Sequence, residues 1–529
     1  MALAAPVNLS SCRLDPLDVL SRWPGRAPLA MLHSGPGESQ RARWSVLARP
    51  AAVFRFSAAG GPEVIRLEPA GADAVRPLPD ASSLPADDPL ACFDELLRAT
   101  STVSAGHRTG ARYLQGGWIG SFGYELGRVI EPAVRQSDGP IADRTWPLLE
   151  MAWCPDVLVH DRVHDSWCAG GVDPRRAASW LDDLEPPLTN GPDKDEPLRL
   201  SDLQHTTDPD RHMASIERTL EYIAAGDIFQ ANLTHRLTAS IAGSTRRLAR
   251  AGLAVSEPWY GAYVEWPGGN PNGVSPLPDR AILSLSPELF LHLDAATRHV
   301  TTRPIKGTRP ASTPPAELER SEKDAAELNM IIDLMRNDLG RVCEYGSVRV
   351  PHGRVIESHP TVHHGVGEVV GRLRDAVAVG DLLRATFPAG SITGAPKIRA
   401  MQIIEELESV TRGPYCGAIG WIGRDGGLSL NVAIRTLALS GRREPGRWDQ
   451  LDGTLDYGVG GGIVADSRPT DEYRETLDKA AVLQQTLATA SSRSSVDRSD
   501  AIRTPGRPSG DRTSASPPPA PAHSPHASL

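Results

Sequence analysis

The sequence predicts an α+β fold, and three observations lead there. Residues up to about Leu184 mix strand-like runs with Gly/Pro turns. From Ser201 to about Ala490, helix-period and strand-period patterns alternate. A tetrapeptide in the first part, Gly117-Trp118-Ile119-Gly120, returns in the second as Gly420-Trp421-Ile422-Gly423, each in a Gly-rich, strand-like stretch. That echo is compatible with two similar antiparallel sheets facing each other.

The elements follow in order. A polar, Pro-rich stretch from Glu185 to about Leu200 reads as a linker between the two parts. Asp208-Pro209 has the form of an N-cap followed by proline at the first helical position. Met213, Ile216, Leu220 and Ile223 then share one helical face, and Gly226 is a C-terminal stop. Ile228–Leu237 reads as a strand, and so does Ile282–Leu293, interrupted by Pro287. Pro315–Val342 reads as one long helix, Ile398–Leu407 as another, and Arg468-Pro469-Thr470-Asp471 as a helix start. Residues 491–529 are rich in Ser, Pro and Arg without an apolar face. They are expected to form a disordered tail, since they bury too little surface to offset their ordering entropy.

Composition excludes several classes. The 529 residues carry 56 Lys+Arg against 65 Asp+Glu, a net charge of -9, which argues against nucleic acid as the main partner. No run of about 18 apolar residues suggests a membrane span. The first residues lack the basic start of a secretory signal. The six cysteines, Cys12, Cys92, Cys154, Cys168, Cys343 and Cys416, fit neither a zinc site nor a disulfide framework, so reduced thiols in a cytosolic protein are expected. Lysine occurs only at Lys194, Lys306, Lys323, Lys397 and Lys479; every other basic position is arginine. A buried lysine can shed its proton and become a nucleophile, whereas arginine stays charged.

Four constellations could carry chemistry. Asp324 and Glu327 lie i, i+3 on the long helix, and Glu472 and Glu475 repeat that spacing after Arg468. Two such helices could hold one hard divalent cation, Mg2+, or could be solvated acidic faces. Tyr457-Gly458-Val459-Gly460-Gly461-Gly462-Ile463 offers backbone N–H groups to an oxyanion, or is a bulged strand packed on a neighbour. It is not a P-loop, which disfavours a phosphotransferase. Phe387–Lys397 is a loop of small residues entering a helix with Lys397 in its first turn, where a cation opposes the helix dipole. Lys397 could grip a carboxylate or lie in solvent. In Thr302-Arg303-Pro304-Ile305-Lys306-Gly307-Thr308-Arg309, Lys306 would become nucleophilic if buried and is otherwise a turn lysine. Together with Arg435, these features suit a small dianionic metabolite.

In this order the motifs resemble the chorismate-utilising enzymes. The matching pieces are Gly226–Thr234, Ser286-Pro287-Glu288, Pro304–Thr308, Glu327–Arg341, His359–His364, Gly390–Met401, Arg412–Gly420, Ile434-Arg435-Thr436 and Gly460–Lys479, with a looser match over Gly116–Gly127. The resemblance implies one large two-lobed unit of two packed antiparallel sheets with helices outside. Residues 1–184 would contribute to the sandwich and 201–490 would form the catalytic region. It further implies Lys306 as a covalent nucleophile, Glu288 as general acid, Glu327 and Glu475 as Mg2+ ligands, and Asp324 and Glu472 supporting them. Lys397, Tyr415, Arg435 and Lys479 would receive carboxylates, Gly460, Gly461 and Gly462 would supply N–H donors, and Gly307, Thr308 and His364 would line the ring.

Within the resembling family, members that add water carry a lysine where this chain has Gln230, so ammonia is the implied nucleophile. Anthranilate-forming members read Pro-Ile-Ala-Gly-Thr where this chain has Lys306, so the implied product is 4-amino-4-deoxychorismate, precursor of 4-aminobenzoate. No cysteine lies in a Gly-x-Cys turn, so the resemblance implies a separate glutamine amidotransferase as partner and ammonia source. The alternatives are anthranilate formation and a non-catalytic chorismate sensor.

Overall fold

A computed structural model describes residues 5–37, 42–68, 77–101, 112–135, 139–186, 198–269, 277–359 and 362–491. Most of the expected linker, and the tail beyond Ser491, lie outside the described residues. The compact unit runs to Ser491. Among the described residues it holds two large antiparallel sheets, of thirteen and eleven strands.

The first sheet runs Val7–Asn8, Ser166–Gly171, Asp156–Asp161, Trp44–Ala48, Ala30–His33, Tyr260–Trp266, Asp279–Ser286, Thr436–Arg443, Gln450–Ile463, Gln230–Ser244 and Arg199–Leu200, with Gln204–His205 and Gly394–Ala395 also pairing with Gln230–Ser244. The second runs Ile305–Pro310, Val362–Arg372, His299–Arg303, Leu289–Leu293, Leu428–Val432, Ala418–Gly423, Gly117–Phe122, Leu149–Cys154, Ala52–Ser57 and Gly61–Arg66, with Arg349–Ser358 also pairing with Val362–Arg372. Both parts of the chain therefore contribute strands to both sheets. They join where Ala30–His33 pairs with Tyr260–Trp266, and where Gly117–Phe122 pairs with Ala418–Gly423.

That second junction corrects the reading of the echo. The two Gly-Trp-Ile-Gly segments do not lie in facing sheets but are neighbours in one sheet, with Gly120 opposite Gly420 and Gly117 opposite Gly423. Their period-2 alternation does the rest. Ile119 and Trp421 point into the layer between the sheets with Val46, Val264 and Ile282. Trp118 and Ile422 point outward into a core that includes Phe93, Leu328 and Leu382 of covering helices. Helices cover the other sheet's outer face as well, through Val19, Leu248, Leu253 and Leu483.

Several elements differ from expectation for local reasons. The helix Pro209–Ala224 forms as expected, with the Asp208 carboxylate accepting from the Asp210 and Arg211 N–H groups. The long helix is two, Pro315–Arg320 and Glu322–Gly340, because Ser321 leaves the helical conformation and its hydroxyl caps Asp324 N. Pro287 divides Ile282–Leu293 into strands in different sheets. The strand begun near Ile228 runs far longer, Gln230–Ser244, because Gln450–Ile463 pairs with it through Ser244.

Buried ion pairs bind the parts. Arg246 meets both carboxylate oxygens of Glu265 at 2.8 and 2.9 Å and donates to the carbonyls of Trp23, Pro24 and Ala27. Glu265 also accepts from Leu29 N and Tyr263 OH. Between the sheets, Glu150 takes Arg55 from its own sheet and Arg280 from the other, each at 2.8 Å. Removing one partner leaves the other charged and dry. Glu265→Ala is therefore expected to lower stability by about 3–5 kcal/mol in urea unfolding.

Candidate active site

The site is built where one sheet loses a strand. The strand Thr436–Arg443 pairs with Gln450–Ile463 only as far as Tyr457, so residues 458–463 keep Gln230–Ser244 as neighbour on one side and an open edge on the other. This run is a regular ladder, with Gly460, Gly461 and Gly462 opposite Thr234, Leu233 and Asn232, not the bulge considered from sequence. Lys479 Nζ donates to the Gly460 carbonyl at 2.9 Å. In a strand a residue's N–H and C=O point the same way, so Gly460 N–H also faces the open edge, and by alternation so does Gly462 N–H. Gly461 N–H is turned to the neighbouring strand, which corrects its expected role as a donor.

Lys306 enters from the other sheet. The strand Ile305–Pro310 carries a bulge: Ile305 pairs with Val366 and Thr308 with His364, leaving one extra residue on its side. Gly307 takes φ +83° there, a conformation open to glycine. The bulge re-aims Lys306, and its ammonium comes to 3.9 Å from Glu327 Oε2, with its side chain only 12% exposed. It also lies against Gly462, where an added Cβ would stand 2.9 Å from the Lys306 nitrogen and 2.2 Å from Gln230 Nε2. Any side chain at 462 would expel one of them. Burial lowers the Lys306 pKa, helped by Lys479 and opposed by Glu327, Glu288 and Glu475.

The carboxylates differ in state. Burial pushes Glu288 up to about 7, against the opposing pull of Ser391, Lys306 and Ile305 N–H. Burial also raises Glu327, partly countered by Lys306 and Lys323. For Glu475 burial is outweighed by Lys479, 2.8 Å away, so its pKa falls. Glu472 is buried, accepts from Ser467 Oγ at 2.6 Å and lies 3.8 Å from Lys323. Glu327 and Glu475, on the helices Glu322–Gly340 and Pro469–Lys479, are hard oxygen donors of the kind Mg2+ takes. Asp324 turns away to Arg309 at 2.9 Å and packs beside Gly307.

Arg435 and His364 lie near one another. Arg435 has no ion pair to a carboxylate among the described residues, and its charge helps hold His364 well below the usual imidazole range, behind burial as the main cause. Thr308 Oγ1 lies 3.0 Å from His364 Nδ1, while His364 Nε2 is buried with no partner among the described residues. Tyr415 covers Gly458 and, with Thr234, Arg412 and Thr436, lines a small cavity of about 30 Å3, whose walls do not include Lys306, Glu288, Glu327 or Glu475.

Lys397 is not part of this assembly. Its ammonium is held by Asp338 Oδ2 at 2.5 Å and the Thr386 carbonyl at 2.8 Å, which satisfies a cation at a helix start and removes it from the substrate carboxylates. Sequence reading missed Asp338 as this partner. It also missed Ser391 beside Glu288 and the contact of Gln230 with Glu327, at 3.5 Å. Ser391 and Asp338 both lie inside quoted motifs, but only spatial proximity reveals their partners.

The two-sheet sandwich, the desolvated lysine, the paired carboxylate helices and the glycine edge are those the sequence resemblance led us to expect of a chorismate-binding enzyme. Residues 55–485 match that family's model, and the chain belongs to the family. It is 35% identical over 402 residues to aminodeoxychorismate synthase component 1 of Escherichia coli, covering 74% of this chain and 81% of that protein. It is 33% identical over 471 residues to aminodeoxychorismate synthase component 1 of Bacillus subtilis, covering 85% and 93%. Its fold matches that of anthranilate synthase component I from Streptococcus pneumoniae, with TM-score 0.65 and 26% identity, over 89% of this chain and 97% of that one.

The Lys397–Asp338 pair separates a structural role from a binding one. Lys397→Met is expected to lower stability by about 3–5 kcal/mol, because Asp338 is left as a dry unpaired charge. Adding Asp338→Asn should recover most of that loss in chemical denaturation.

Proposed function

We propose that this chain aminates chorismate with ammonia to 4-amino-4-deoxychorismate, and that a separate glutamine amidotransferase supplies the ammonia. The observation that carries the reading is the Lys306 amine, desolvated and set beside Glu327 and Gly462. The names of the relatives, each a component 1, support both the product and a partner subunit. A cytosolic location follows from the same reading, and no helix among the described residues is long and apolar enough to cross a membrane.

The residues divide the work as follows. Arg435 and the edge N–H groups of Gly460 and Gly462 receive carboxylates. Glu327 and Glu475 would hold Mg2+, with Glu472 beside them, and the bound ion would neutralise and orient a ring carboxylate. Neutral Lys306 forms a bond to ring C2 as the C4–O bond breaks, and Glu288 delivers the proton that lets hydroxide leave as water. Ammonia then bonds to C4, the C2–N bond breaks, and Lys306 is released as the neutral amine. The surplus proton on the new amine returns to Glu288. One difficult displacement thus becomes two easier ones, and the net change is ammonia in and water out.

Lys306→Ala is the direct test. With chorismate, Mg2+ and an ammonium salt, mass spectrometry is expected to show 4-amino-4-deoxychorismate from the wild-type chain and at least ~100-fold less from the variant, the scale of losing a positioned catalytic group. Unchanged amination in the variant, or anthranilate as the wild-type product, overturns the reading.

The pH profile gives a second test. Glu288 must be protonated and Lys306 neutral to act, so kcat/KM should follow a bell-shaped pH profile with one limb set by Glu288 near 7. Glu288→Gln should remove that limb along with most of the rate.

A further inference from the structure

Only five of the 56 basic residues are lysines, and three of those five, Lys306, Lys323 and Lys479, gather around the carboxylates of the two helices. The proposed reaction uses Lys306 as nucleophile, Lys479 is held between Glu475 and the Gly460 carbonyl, and Lys323 is left without a task. Its position is specific. It stands in the first turn of Glu322–Gly340 and reaches across to Glu472 Oε1 on Pro469–Lys479, at 3.8 Å. Its charge also acts on Glu327 of its own helix and on Glu475 of the other.

We infer that Lys323 is a tethered counter-cation that fills the charge of the divalent-cation site in the metal-free chain, and that the ion enters by displacing the Lys323 ammonium to solvent. The inference rests on the metal reading above and adds what guards the site. Among the described residues no three His, Cys, Asp or Glu side chains converge as a ligand set. Instead each carboxylate leans on its own ammonium: Glu327 on Lys306, Glu475 on Lys479 and Glu472 on Lys323.

A dication placed here is repelled by the lysine charges around it, so one of them must move away. Lys306 is 12% exposed, and Lys479 is held by both Glu475 and the Gly460 carbonyl. Lys323 has one long contact to Glu472 and is 52% exposed, with water to retreat into. Lysine suits this part because its ammonium is a compact point charge on a flexible stem, the nearest side-chain counterpart of a metal ion. In a chain that uses arginine almost everywhere else, its retention at 323 gains a physical reason. The consequence is a site held together electrostatically before the ion arrives, with affinity for the free ion reduced by the competitor.

Mn2+ binding to the full chain without chorismate tests this, read by electron paramagnetic resonance. Lys323→Gln is expected to bind Mn2+ roughly 10-fold tighter than wild type at low ionic strength, the scale of one unit charge removed from beside a dication. Lys323→Arg, which keeps the charge, is expected to stay within about threefold of wild type. In the wild-type chain, Mn2+ should speed acylation of Lys323 by an amine-reactive reagent, read by mass spectrometry, while Lys397 is unaffected. Equal or weaker Mn2+ binding by Lys323→Gln, or Lys323 labelling that ignores bound Mn2+, overturns the inference. Glu327→Gln distinguishes the two failures: it should abolish binding in either background. If Mn2+ still binds there, or binds to neither the wild-type chain nor Lys323→Gln, the metal reading falls and this inference with it.

Discussion

A lysine amine held out of water is the constraint on which the rest of the structure depends. An ammonium loses hydration when buried, so Lys306 is biased toward its neutral, nucleophilic form. Keeping it there takes three things from three places in the chain. The bulge at Gly307 aims it, the missing side chain at Gly462 makes room for it, and Glu327 on a covering helix meets it. Glu288 is dried by the same surroundings in the opposite sense, since burial favours a protonated carboxyl. One low-dielectric pocket thus pushes a lysine and a carboxyl toward their neutral forms, the two states the proposed chemistry requires.

The sandwich exists to hold those pieces in register. Lys306 belongs to one sheet and Gly462 to the other, so their contact is only as firm as the packing between sheets. Ile119, Trp421, Val264 and Ile282 fill that layer, and Glu150 with Arg55 and Arg280 adds a charged tie across it. The N-terminal residues are not an appendage. Their strands complete both sheets, and Trp23, Pro24 and Ala27 cap a buried arginine from the second half. Glycine at the open edge and aliphatic side chains in the layer answer different demands: access for an anion in one place, exclusion of water in the other.

The lysines show how one residue type takes different roles according to its surroundings. Lys397 is locked onto Asp338 and a carbonyl and serves the architecture. Lys479 spans Glu475 and the glycine edge. Lys306 is dry and only distantly paired, and Lys323 is wet and loosely paired. The differences lie in exposure and in the number of fixed acceptors, which set how far each ammonium can move or lose its proton.

Much of this was legible in the sequence. Period-2 and period-3.6 patterns and proline at helix starts located several elements around the site, and the order of motifs identified the family, whose resemblance pointed to Lys306, Glu288, Glu327 and Glu475. The first of these are local signals, carried by residue type and spacing. Pairing across space was not legible. The Gly-Trp-Ile-Gly echo was compatible with two facing sheets, yet the two segments lie side by side in one, because strand order is decided by which edges meet after collapse. It assigned Lys397 to the substrate, yet Asp338, 59 residues away, claims it. It treated three glycines as equivalent donors, yet strand alternation turns Gly461 inward. A residue's chemical capacity is written in its type, while whether that capacity is free, satisfied or shifted depends on neighbours and on lost water, and only the folded chain supplies those.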